Sequence, residues 1–164
     1  MKKWSVRVIF AAAFIVLVIW AWHTFFPNHE QIIRKRLLEV AAAASFSANE
    51  APVVTMRNCQ KLGSSCTPDV EIIVDVHGHS RETVNGREEL LTKALGARSL
   101  GGLTVEFLDL TVALAPDKKS AVVTLTGKGR IAGESDFMVE ELKFTMKRVE
   151  DAWLIARVET VKPM

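Results

Sequence analysis

The spacing of apolar residues changes twice along the chain. From Val8 to Phe26, "VIFAAAFIVLVIWAWHTFF", it is nearly continuous, with only His23 and Thr24 polar. Between Ile33 and Ala44 it becomes helical, placing Ile33, Leu37, Val40, Ala41 and Ala44 on one stripe. From Thr67 onward it alternates, as half-buried strands require, because successive strand side chains point to opposite faces.

A bilayer core takes about 20 apolar residues in helical form. The first stretch therefore predicts a transmembrane anchor over 8–26, with a cytoplasmic tail over 1–7 and a domain over 27–164 outside the cytoplasm. Lys2, Lys3 and Arg7 favour a cytoplasmic N-terminus, and Trp20, Trp22, Phe25 and Phe26 suit the opposite interface. The competing reading is a cleaved signal peptide. That needs a shorter apolar run followed by a small-x-small site, whereas Ala11 to Ala13 open this run and bulky rings close it. The expected location is the bacterial inner membrane, crossed once.

After the anchor, Pro27 breaks the chain and Asn28 is placed to cap a helix, with Gln31 three residues on. Glu30–Arg34 and Lys35–Glu39 are pairs four apart on the wet side. A weaker helical stretch covers about Asn49 to Leu62, interrupted or begun near Pro52. In "TPDVEIIVDVHGHS", Thr67–Ser80, Val70, Ile72, Val74 and Val76 fall on one face; Asp69, Glu71, Ile73, Asp75, His77 and His79 fall on the other. Ser80–Val84 predicts a short return strand, Asn85–Gly86 a turn, and "REELLTKAL" a helix ending near Gly96. Four strand-like runs follow: "LTVEFLDLTVAL", "SAVVTLTGKGRI", "DFMVEELKFTMKRV" and "AWLIARVETV". In the first, the apolar phase slips between Phe107 and Leu108. A β-bulge there would bend the strand without turning its core face outward; burial of both faces is the alternative.

Composition narrows the function. The formal charge is +2, but Lys2, Lys3 and Arg7 precede the domain, so from Pro27 onward 18 basic residues face 19 acidic ones. No basic patch with interleaved aromatics occurs there, and nucleic acid is not an expected partner. Cys59 and Cys66 would lie outside the cytoplasm, where a disulfide between them would persist; free thiols are the alternative, and the spacing is not a zinc pattern. His77 and His79, with Asp75, could chelate a metal, but Gly78 between them marks a turning strand. The solvated face of a strand is the simpler reading, and neither metal nor cofactor is expected.

The order of elements resembles the nuclear transport factor two-like superfamily, which includes SnoaL-like proteins and ketosteroid isomerases and has a cystatin-like cone fold. The resemblance rests on "PDVEI" (68–72), "VNGREELLTKAL" (84–95), "KKSAVVTLTGKG" (118–129) and "EDAWLIARVETV" (150–161) and covers roughly 27–162. It implies an α+β fold in which a curved sheet wraps about three helices, with a conical pocket at the open end. Related proteins often dimerise through the outer face of the sheet. Ketosteroid isomerases use a tyrosine donor, and this chain has no tyrosine.

Pairing the hairpin around "IAGES" sets Leu125 opposite Leu142, Val123 opposite Phe144 and Gly127 opposite Glu140. Glu140 then shares a face with Met138, Leu142, Phe144 and Met146, beside a position without a side chain. A carboxylate so placed is how a pocket base with a raised pKa would look, with Arg130 or Arg157 as its partner. A wet rim is the alternative. Two functions follow. One is a membrane-anchored binding or scaffold module working with envelope proteins, a layout similar to type IV secretion scaffolds, with a homodimer through the sheet as a further expectation. The other is an isomerase, dehydratase or cyclase using Glu140 as acid or base, with Gly127, Arg130, Met138, Leu142 and Phe144 around the pocket.

Overall fold

The computed structural model describes Ile15 and residues 28–75, 81–99 and 101–161. The proposed anchor, Ile15 apart, lies outside the described residues, as do His77, Gly78 and His79. Among the described residues, no helix is long and apolar enough to cross a membrane.

Three helices, α1 (His29–Ala44), α2 (Pro52–Ser64) and α3 (Arg87–Arg98), pack with one curved sheet. Its strands are β1 (Cys66–Val74), β2 (Glu82–Asn85), β3 (Leu103–Leu114), β4 (Ser120–Ile131), β5 (Met138–Val149) and β6 (Ala152–Thr160). The order across the sheet is β2-β1-β6-β5-β4-β3. β1 runs parallel to β6, and every other neighbour is antiparallel. The result is a cone-like α+β fold.

α1 begins where the sequence places it. Asn28 is the N-cap and its Oδ1 accepts from the Gln31 amide at 3.3 Å. Glu30 and Arg34 pair at 2.9 Å on the exposed side, which contributes little in high dielectric. The stripe Ile33, Leu37, Val40 and Ala41 is buried. Ile33 and Leu37 join Val123, Phe144, Met146 and Trp153 in one core cluster. α2 begins at Pro52, the second of the two starts the sequence allows, because proline suits the first helical turn, where its missing donor costs nothing. α3 passes through Gly96 and ends at Arg98; Gly86 caps its start with φ +84°, a conformation that favours glycine.

In β1 Val70 is fully buried and Asp69 exposed, but Glu71, Ile72, Ile73 and Val74 are all half-buried rather than alternating, and the strand ends at Val74. β2 lies at Glu82–Asn85, slightly later than expected. The β4–β5 register agrees with the sequence pairing: Leu125 faces Leu142, Val123 faces Phe144 and Gly127 faces Glu140. The bulge in β3 is real but displaced. Leu108 still pairs with Thr126, and the register slips before Thr111 pairs with Thr124. Asp109 and Leu110 together oppose Leu125, with Asp109 in the left-handed region at φ +53°. Leu108 is consequently outside and exposed, and the inward phase resumes at Leu110.

The expected Cys59–Cys66 disulfide is absent: both are free, buried thiols. Cys66 belongs to the core cluster and Cys59 does not. Burial pushes the Cys66 thiol up to about 11 despite the nearby Arg87. It is therefore a packed, protonated side chain rather than a reactive thiolate.

Where α1 begins, the Trp153 indole N–H donates to His29 Nδ1 at 3.4 Å, with the rings edge-to-face. Burial, reinforced by Arg148 and Lys118, holds the His29 pKa below its ordinary 6.5. The folded state therefore favours neutral imidazole, so the stability it supports is complete above pH 6.5 and declines as pH falls through the folded pKa. Urea midpoints between pH 7.5 and 5 should fall more steeply for the wild type than for His29→Gln, which keeps an acceptor but does not titrate. Parallel pH profiles would remove His29 from this role.

Candidate functional site

A pocket at one end of the sheet, its mouth, is assembled from four parts of the chain. Phe46, just after α1, pairs with Leu103 at the start of β3; each amide donates to the other's carbonyl at 2.8 Å. Gly102 lies directly beneath. A side chain there would come within 2.9 Å of Ala132 Cβ and 3.3 Å of the Phe46 carbonyl, so the close approach requires glycine. Ala97 comes from the last turn of α3, and Ile131 and Met138 come from the β4–β5 hairpin. With Gly101, these residues enclose an open pocket of about 230 Å³. Its lining has no ionisable or hydrogen-bonding side chain.

A polar network supports this rim from behind. Arg98 Nε donates to Glu50 Oε2 at 3.3 Å, and its Nη2 donates to the Ala43 carbonyl at 2.8 Å. Its guanidinium lies 5.0 Å from the Phe46 ring centroid. Glu50 also accepts from Thr55 Oγ1 at 2.8 Å and Asn58 Nδ2 at 3.1 Å. The Arg98 and Glu50 side chains are only 7% and 13% exposed. The network joins α1, the loop after it, α2 and α3. Sequence reasoning missed it, since Phe46 and Glu50 stand in a loop without periodicity. The only local cue was an acid two residues before Pro52.

The predicted site residues separate. Glu140 is half-buried on the inner face of β5 opposite Gly127, but does not line the mouth pocket. The space expected at Gly127 is filled: an added Cβ would sit 2.8 Å from Leu142 Cδ1. Phe144 is buried and packs edge-to-face on Phe107 at 5.5 Å, so Phe144 and Leu142 fill the cone. Only Met138 of the predicted set lines the mouth.

Arg130 is placed elsewhere by strand alternation. It pairs with Thr104 on the outer face and lines a separate depression of about 220 Å³ with Glu106, Lys128 and Phe137. Its guanidinium is 5.5 Å from the Phe137 centroid, and Lys128 Nζ is 4.0 Å from it. Arg157 also faces outward, pairing with Glu71 at 2.7 Å and Glu159 at 3.1 Å. Hydrogen bonding from Lys143 is the largest influence holding the Glu159 carboxyl below its usual range. Among the described residues, no group of three His, Cys, Asp or Glu side chains is arranged to hold a metal; His77 and His79 lie outside them.

Known structures share this architecture. An NTF2-like protein of unknown function from Pseudomonas putida KT2440 superposes with a TM-score of 0.63 at 13% identity, covering 83% of this chain and 87% of that one. The fold is nuclear transport factor two-like. A protein with a cystatin-like fold from Nostoc punctiforme PCC 73102 gives 0.61 at 9% identity, over 82% of this chain and 91% of its own. A Novosphingobium aromaticivorans DSM 12444 protein provisionally named a scytalone dehydratase gives 0.59 at 13% identity, over 83% and 85%. No family model matches the sequence, and no curated protein matches it significantly.

Removing one partner from a buried, hydrogen-bonded charge pair leaves the other uncompensated, which costs about 3 kcal/mol. Arg98→Met should lower unfolding stability by about that amount, measured by urea denaturation, and weaken the rim. An effect within about 0.5 kcal/mol, the range of an ordinary surface change, would assign the network no structural role.

Proposed function

We propose that this chain is a membrane-tethered binding module that takes an apolar group at the mouth of its cone without performing chemistry on it. The observation that carries the reading is the mouth pocket, whose lining from Phe46 to Met138 is apolar throughout. Catalysis requires convergent polar groups at the reacting atoms, whereas the site described here offers surface for burial, each Å² of apolar contact contributing roughly 25 cal/mol. The continuous apolar stretch from Val8 to Phe26 supports the tether, a single span of the bacterial inner membrane with the domain outside the cytoplasm. Confinement to a membrane surface fits work with envelope proteins, for which a short apolar segment or a lipid tail is a suitable ligand.

A second reading, an isomerase, dehydratase or cyclase, is supported by Glu140. It is half-buried on the face of β5 that also carries Met138 and Leu142. The similarity in fold to a protein provisionally named a scytalone dehydratase is compatible with it.

The readings separate in one titration. Ala97→Trp fills the mouth from the end of α3 and should weaken binding of a naphthylamine fluorophore or a medium-chain fatty acid at least about tenfold, the equivalent of roughly 1.4 kcal/mol. Glu140→Gln should leave that affinity within about twofold. Unchanged binding by Ala97→Trp, or loss with Glu140→Gln, would move the site inward and favour the enzyme.

A further inference from the structure

The two edges of the sheet are unlike. β2 is four residues long and mostly exposed, with Glu82 paired to Lys93, a short polar edge of the kind that discourages strand addition. β3 is twelve residues long and bonded to β4 on one side only. Its first part is closed off. Phe46 takes both backbone groups of Leu103, while Ser45 Oγ accepts from the Val105 amide at 2.9 Å and donates to the Ala41 carbonyl at 2.9 Å, lying 3.3 Å from the Val105 carbonyl. α1 crosses the sheet obliquely, starting with His29 against Trp153 on β6 and ending with Ser45 on the edge of β3. Cover is thus present at Leu103–Val105 and absent beyond the bulge.

The remaining segment is "LTVAL", Leu110–Leu114, without charge, glycine or proline. The Ala115 amide bonds to the Ser120 carbonyl, and the register runs unbroken back to Thr111 opposite Thr124. In an antiparallel ladder, bonded and unbonded positions alternate. Thr111 and Ala113 therefore bond to β4, and Leu110, Val112 and Leu114 direct their amides and carbonyls at the open edge. No protein partner meets those groups among the described residues.

We propose that this edge pairs with the same segment of a second copy, antiparallel about a two-fold axis at Val112. In that register Val112 faces its counterpart and Leu110 faces Leu114, so every facing pair presents bonding groups. Two hydrogen bonds for each of three pairs gives six in all. The segment is self-complementary, as an isologous contact must be. It carries no charge to repel its copy, and its ends are defined by the bulge at Asp109 and by Pro116, which cannot donate. The product is one continuous sheet across both copies, joined by the edge rather than by the outer face, where Glu71, Arg157, Glu159 and Lys143 are already paired. The proposal depends on neither the tether nor the mouth pocket.

The two-fold also sets exposed Thr111 against exposed Ala113 of the other copy, and neither side chain serves the core. Sedimentation of the detergent-solubilised full chain should show a dimer. Thr111→Lys with Ala113→Lys places like charges opposite each other twice and should raise the dissociation constant at least about tenfold. Thr111→Glu with Ala113→Lys sets opposite charges across the same axis and should restore dimerisation to within about threefold of wild type. Circular dichroism confirms that both variants fold. A monomeric wild type, a dimer insensitive to the lysine pair, a failure of the charge-complementary pair to recover, or an edge taken by an added extended peptide in a monomeric chain would each overturn the proposal.

Discussion

Ile33 and Leu37 of α1 have no solvent exposure, and they share one cluster with Val123, Phe144 and Met146 from the sheet. A strongly curved sheet keeps its hollow only while something occupies it, since interiors pack at the density of organic crystals. Here the occupants are the stripe of α1, the Phe107–Phe144 pair and the Leu142 side chain lying over Gly127. Full burial of each large aliphatic side chain contributes roughly 1.5–3 kcal/mol. The filling also sets where a ligand can go. Volume remains at the rim, where Gly101, Gly102 and Ala97 contribute little or no side chain.

Charge is sorted by the same alternation. Inner positions of β4 and β5 are apolar apart from Glu140 and Arg148, while the outer face joins Glu71, Arg157, Glu159 and Lys143 into a chain of pairs across three strands. These pairs are partly solvated, and they set register more than they add stability. The Arg98–Glu50 pair is different in kind. It is buried, its groups also bond to Ala43, Thr55 and Asn58, and it ties together α1, α2 and α3.

Features governed by local or period-two rules could be read from the sequence. Asn28 as a cap, the α1 stripe and the facing of Gly127 with Glu140 each depend on residues close in sequence or on one hairpin. The bulge was visible as a slip of phase, but Leu108 and Leu110 are equally apolar, and only the ladder decides which of them turns outward. Three things were not visible, because each depends on where distant segments meet. Arg130 was assigned to the pocket from its hairpin position, and its parity puts it outside. Leu142 closes the gap at Gly127 through a rotamer that no pattern encodes. The mouth joins Phe46 to Leu103 and Arg98 to Glu50, contacts between loops and helix ends that carry no periodic signal.

β6 is the latest strand in the chain and lies near the middle of the sheet, parallel to β1 on one side and antiparallel to β5 on the other. Cys66 meets Ile155 and His29 meets Trp153 only after nearly the whole domain has been synthesised. Until then the helices and β1 have no sheet to rest on, and the β3–β5 meander shows an unfinished flank. Closing so large a loop is slow, and the waiting intermediate exposes strand edges that invite aggregation. Assembly of this cone therefore waits for β6, which alone joins the β1–β2 hairpin to the β3–β5 meander.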